Sequence, residues 1–64
     1  MARNYEDDFL RDLYNHIANY DPDLITERRA TKYWRTYYRY HNLKIAVTRE
    51  AYDNSVVSIS ITKM

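Results

Sequence analysis

The chain has 64 residues, with 10 Lys+Arg against 9 Asp+Glu, eight Tyr, one Pro, and neither Cys nor Gly. A chain this short reads as one domain over residues 1–64, burying about 60% of its unfolded surface around a marginal core. Without Cys there is no disulfide framework or thiolate zinc site; without Gly there is no Walker loop, dinucleotide fingerprint or glycine-cradled phosphate. No run approaches the roughly 20 apolar residues of a membrane span, and no signal-peptide core is present. The expected compartment is reducing and cytoplasmic, with no membrane partner and no cofactor.

Leu, Ile, Val and Phe together make up only 13 residues. Tyr and Trp must supply the missing apolar area, at about 150–250 Å² per ring. An aromatic core of Tyr14, Tyr33, Trp34 and Tyr37 is therefore expected.

In chain order, the first element is a helix over about 5–20. Asn4 suits the N-cap, and Glu6, Asp7 and Asp8 suit the dipole of the first turn. Phe9, Leu10, Leu13, Tyr14 and Ile17 recur at three- and four-residue spacing. Asp21-Pro22 breaks the pattern and can cap a new helix.

The second element is expected to be a helix over about 23–41. Tyr33 to Tyr40 are strand formers by propensity, but a 100° period gathers Ala30, Tyr33, Trp34, Tyr37, Tyr38 and His41 on one face. It lines Arg28, Lys32, Arg35 and Arg39 on the other. A strand would place Arg35, Tyr37 and Arg39 together and mix the classes.

The last element is a β-hairpin over about 43–62. Leu43, Ile45 and Val47 alternate with Lys44, Ala46 and Thr48, and Val57, Ile59 and Ile61 with Ser58, Ser60 and Thr62. Opposed apolar pairs must sum to an even number, such as 45 with 59. The loop then holds an odd number of residues, with Asn54 at positive φ in place of Gly. The predicted fold is α+β: two antiparallel helices packed on a C-terminal hairpin. The hairpin edge or the aromatic helix offers a surface for a homodimer.

The formal net charge of +1 conceals a dipole. Residues 1–23 set Arg3 and Arg11 against six acids, a net of −4. Residues 24–49 set seven cations, Arg28, Arg29, Lys32, Arg35, Arg39, Lys44 and Arg49, against Glu27, a net of +6. Such asymmetry points to an electrostatic partner, although a stripe of cations on one helix face is also what an ordinary solvated surface looks like.

No enzyme is expected. Asp12 and His16 share a helical i, i+4 spacing, but two ligands are not a metal site. The serines alternate along a strand without a nucleophile elbow. Tyr and Arg are enriched at protein interfaces because they give large contact area at low entropic cost. The predicted partner-binding residues are Arg28, Lys32, Arg35, Tyr38, Arg39, Tyr40, Arg49 and Tyr52. The leading expectation is a non-enzymatic module that binds a larger protein, in the manner of virus- or plasmid-encoded inhibitors and adaptors. The alternative is a nucleic-acid-binding regulator of winged helix-turn-helix type using the same basic helix.

Overall fold

The computed structural model describes residues 4–64; Arg3, counted in the charge of the first segment, lies outside the described residues. The order is α1 (Tyr5–Ala18), β1 (Asp23–Arg29), β2 (Tyr33–Tyr40), β3 (Leu43–Glu50) and β4 (Val56–Lys63). The four strands form an antiparallel meander in the order β1-β2-β3-β4. The helix lies across one face of this sheet, in contact with β4.

α1 forms as its sequence predicts. The Asn4 side chain accepts a hydrogen bond from the Asp7 amide at 3.2 Å, capping an otherwise orphaned donor. Leu10, Leu13, Tyr14 and Ile17 turn inward and are half-buried. The helix ends at Ala18, short of the expected Tyr20, and Asp21 takes a left-handed φ of 52° before Pro22.

The expected second helix is overturned: residues 23–41 are two strands joined by Ala30–Lys32, so the fold is one helix and four strands rather than ααββ. Propensity outweighs the helical period here. Rings at Tyr33, Trp34, Tyr37, Tyr38 and Tyr40 lose side-chain freedom in a helix and pack well on a pleated surface. The two-residue alternation sends Trp34, Thr36, Tyr38 and Tyr40 toward the helix and Tyr33, Arg35, Tyr37 and Arg39 to the opposite side. The mixed face that argued against a strand is the sheet's uncovered face.

The register supports the hairpin, with one correction. Ile45 pairs with Ile61 and Val47 with Ile59, so opposed apolar pairs do sum to an even number, but 45 is not opposite 59. A bulge at Val57, with Thr48 opposite Ser58 but Arg49 opposite Val56, shifts the register by one residue near the loop. The connecting loop has five residues, Ala51 to Ser55, and Asn54 takes φ 65°. Asp53 Oδ1 fastens it by accepting from the Ser55 amide at 3.0 Å and from Ser55 Oγ at 2.8 Å. These bonds hold the Asp53 carboxyl below its usual range. The two-residue β2–β3 turn uses His41 at φ 53°. Asn, Asp and His tolerate this conformation better than most residues, which is how a chain without glycine turns three times.

The core is aliphatic, not aromatic. Val47 (0% exposed) and Ile45 (4%) are buried on β3, beside Thr36 (3%) on β2. Rings surround this centre: Tyr14, Trp34, Tyr38 and Tyr40 are half-buried. His16, Tyr20, Tyr40 and His41 form an edge-to-face series at centroid distances of 5.3, 5.6 and 4.5 Å, closing one end of the helix–sheet seam. Tyr33 and Tyr37, expected inside, lie on the uncovered face.

Candidate functional site

The uncovered face of the sheet gathers four cations, Arg28, Arg35, Arg39 and Lys44. By register and alternation it displays Thr26 and Arg28 from β1, and Tyr33, Arg35, Tyr37 and Arg39 from β2. Lys44, Ala46 and Thr48 come from β3, and Ser58, Ser60 and Thr62 from β4. The bulge residue Ile25 joins them in a depression of about 280 Å³ that it lines with Thr26, Arg28, Tyr37 and Lys44. Lys44 Nζ lies 5.5 Å from the Tyr37 ring centroid, a cation–π contact. Arg39 Nε donates to the His41 carbonyl at 3.2 Å, which fixes its stem at the edge of this surface.

Two cross-strand pairs on this face are like-charged. Arg28 stands directly opposite Arg35, and Arg39 directly opposite Lys44. Such pairs destabilise a sheet. Among the described residues the ion pairs are Arg11–Asp8, Arg29–Glu27 and Arg49–Glu27, so none relieves these four cations. Asp23, opposite Arg39 on its other side, and Glu50, opposite Tyr33, are the acids at the rim. The helix acids Glu6, Asp7, Asp8 and Asp12 belong to the other layer.

Arg49 belongs to that other layer too. Its Nη2 donates to Glu27 Oε1 at 3.3 Å and to Thr36 Oγ1 at 3.2 Å, with its side chain 14% exposed. Glu27 also receives Arg29 at 3.4 Å, and Arg29 Cζ sits 4.5 Å over the Trp34 ring. This Arg49–Glu27–Arg29–Trp34 chain ties β1, β2 and β3 together beside the helix, so Arg49 is structural.

The predicted partner-binding residues therefore divide. Arg28, Arg35 and Arg39 come together on the uncovered face. Lys32 lies in the exposed β1–β2 loop, where its carbonyl accepts from the Ala51 amide at 3.0 Å. Tyr52 is exposed in the β3–β4 loop, its phenol pushed up by the Asp53 and Glu50 charges. Tyr38, Tyr40 and Arg49 face the helix, so they leave the set. Tyr33, Tyr37 and Lys44 were missed, although the spacing 33/35/37/39 carried the signal once residues 33–40 are read as a strand.

Tyr38 shows what the helix side does to a phenol. Burial, with the Tyr14 hydroxyl beside it, pushes its pKa up to about 12. The folded protein therefore holds this proton more tightly than the unfolded chain does. Its contribution to stability is complete below pH 10 and is lost as pH rises from 10 towards about 12. Tyr38→Phe is expected to flatten the stability profile in that window, as read by urea midpoints at pH 9 and pH 11.

Among the described residues no group of three or more His, Asp or Glu is placed to hold a metal, so Asp12 and His16 remain a pair. No helix among them is long and apolar enough to cross a membrane. No protein-family model matches the chain, and no curated protein or solved structure matches it either.

Proposed function

We propose that the protein is a non-enzymatic, cytoplasmic binding module whose uncovered sheet face takes a single strand of nucleic acid. One observation carries this reading: two directly opposed like-charge pairs, Arg28–Arg35 and Arg39–Lys44, share one face, and among the described residues none of the four forms an ion pair, although Asp23 stands opposite Arg39. A polyanion turns both pairs from a cost into a gain. β2 also alternates ring and cation along its length, Tyr33, Arg35, Tyr37, Arg39, as an extended strand alternates base and phosphate. Stacking on such rings is tolerant of sequence, and the salt-dependent part of affinity comes from the phosphates. A sheet in place of the basic helix removes the major-groove reading of a winged helix-turn-helix.

The test is a salt series with single-stranded DNA and RNA oligomers. Four neutralised phosphates give a log–log slope of about −3, so affinity is expected to fall roughly fiftyfold between 50 and 200 mM salt. Equal affinity at both salts, or no binding at the lower one, overturns this reading.

A second reading is favoured by the helix layer. Four acids there, and a net charge of only +1, oppose wrapping by a long polyanion. On this reading the same Arg/Tyr face engages an acidic surface of a larger protein, as an inhibitor or adaptor would. Failure of oligomers to bind, with retention of an acidic protein partner by the wild-type face and loss in the Arg35 variant, selects it.

A further inference from the structure

The two edges of the sheet are built differently. β1 is bulged at Ile25 and bears Glu27, Arg28 and Arg29, devices that keep an edge from pairing with another chain. β4 bears no charge from Val56 to Thr62. Its hydrogen-bonding phase follows from the Met64 amide, which donates to the Asn42 carbonyl at 2.8 Å. Alternation then turns the amides of Ser58, Ser60 and Thr62 toward β3 and those of Ile59, Ile61 and Lys63 outward.

We infer that β4 pairs antiparallel with β4 of a second copy, about a two-fold axis at Ser60. The strand is nearly palindromic about that residue. Ser60 meets its own counterpart, Ile59 meets the second copy's Ile61, and Ser58 meets Thr62. Each Ile59–Ile61 pair exchanges two of the outward-facing backbone hydrogen bonds. Isoleucines stay with isoleucines on the helix side and hydroxyls with hydroxyls on the other, which is the self-complementarity a two-fold interface needs.

Charge complementarity supports the same partner. Lys63 shares the helix-side face with Ile59 and Ile61, and in this register it arrives level with Val57 of the second copy. There the first turn of α1 carries Glu6 and Asp7; Asp7 and Asp53 line a cleft with Val56, together with Arg11 and Arg49, and Asp8 holds Arg11 at 3.2 Å. Apolar surface is also waiting. The α1 flank opposite Tyr14 and Ala18 carries Phe9, 66% exposed, and Ile61 of β4 is 48% exposed. Joined in this way, two sheets form one eight-stranded sheet whose uncovered faces are continuous. The inference stands independently of what that face binds.

The chain has no cysteine, so a single introduced thiol reports on position. Ser60→Cys is expected to form a disulfide-linked dimer under mild oxidation, because residues at the axis sit in a non-hydrogen-bonded pair with side chains close. Thr48→Cys, on the same face but on β3, is expected to stay monomeric. By sedimentation equilibrium the wild-type protein is expected to exceed its 7.9 kDa monomer mass with rising concentration. Lys63→Glu is expected to weaken that association at least tenfold. The inference is overturned if the wild-type protein stays monomeric up to millimolar concentration. It is equally overturned if Ser60→Cys crosslinks no faster than Thr48→Cys.

Discussion

Arg35→Glu is expected to make the protein more stable and less able to bind. In the free protein Arg35 faces Arg28 across the β1–β2 ladder, and a carboxylate there replaces repulsion with attraction. Cross-strand charge pairs are worth roughly 0.2–1 kcal/mol each, so reversing one is expected to raise stability by about 1 kcal/mol and Tm by ~4–8 °C. The same change removes one phosphate contact and adds a repulsive charge. Combined with Arg39→Glu it is expected to lower affinity for a single-stranded oligomer more than about a hundredfold at low salt. The opposed signs are diagnostic: if the cations are simply a solvated surface, stability rises and binding, of whatever kind, is unchanged. Thermal melts and fluorescence anisotropy on the same samples separate the two outcomes.

The second large effect is expected at the opposite extreme of exposure. Among the described residues Val47 is the one with no exposed surface, enclosed between β2 and β4 under the helix. Val47→Ala removes two methyl groups from a core that contains few others, at an expected cost of about 2–3 kcal/mol. A domain of this length is held by about 0.05–0.15 kcal/mol per residue, so the loss is a large share of its stability and its Tm is expected to fall well below that of the wild type. Thermal melts followed by circular dichroism measure this. A Tm close to that of the wild type would show that the core is shared more widely than two aliphatic side chains and a threonine.

The outer parts of the chain were legible and its middle was not, for identifiable reasons. α1 has a cap, an acidic first turn and a consistent apolar stripe, three local signals that agree. The β3–β4 hairpin has clean alternation, because one of its faces is covered and the other is not. Asn54 could be assigned its left-handed φ because a loop of odd length without glycine leaves few substitutes. β1 has no legible pattern because all seven of its residues are exposed, so burial imposes no alternation on it. The bulge at Ile25 shifts what alternation exists. In β2, Tyr occurs on both faces: Tyr38 and Tyr40 pack beneath the helix while Tyr33 and Tyr37 meet solvent. A residue equally at home in both settings erases the period-two signal, and the chance 3.6-residue grouping of rings then dominates. Tyr38 and Tyr40, assigned to a helix surface on that basis, lie on the helix side of the sheet, whereas Arg28, Arg35 and Arg39 share one face in either geometry. Arg49 could not be assigned from local pattern, since its role depends on Glu27, a residue 22 positions away.

β1 is attached mainly by its backbone ladder to β2 and by the Glu27–Arg49 pair, with no side chain buried. Regions with few apolar contacts and exposed ladders open most readily, so the least costly excursion of the native state is release of this strand from an otherwise intact domain. That excursion carries Arg28 away from Arg35 and removes one of the four cations of the uncovered face. A ligand bridging the two strands restrains it. If the proposed strand of nucleic acid occupies the surface, its binding is coupled to the closing of an edge, and the amides of Asp23 to Arg29 are where hydrogen exchange is expected to slow first.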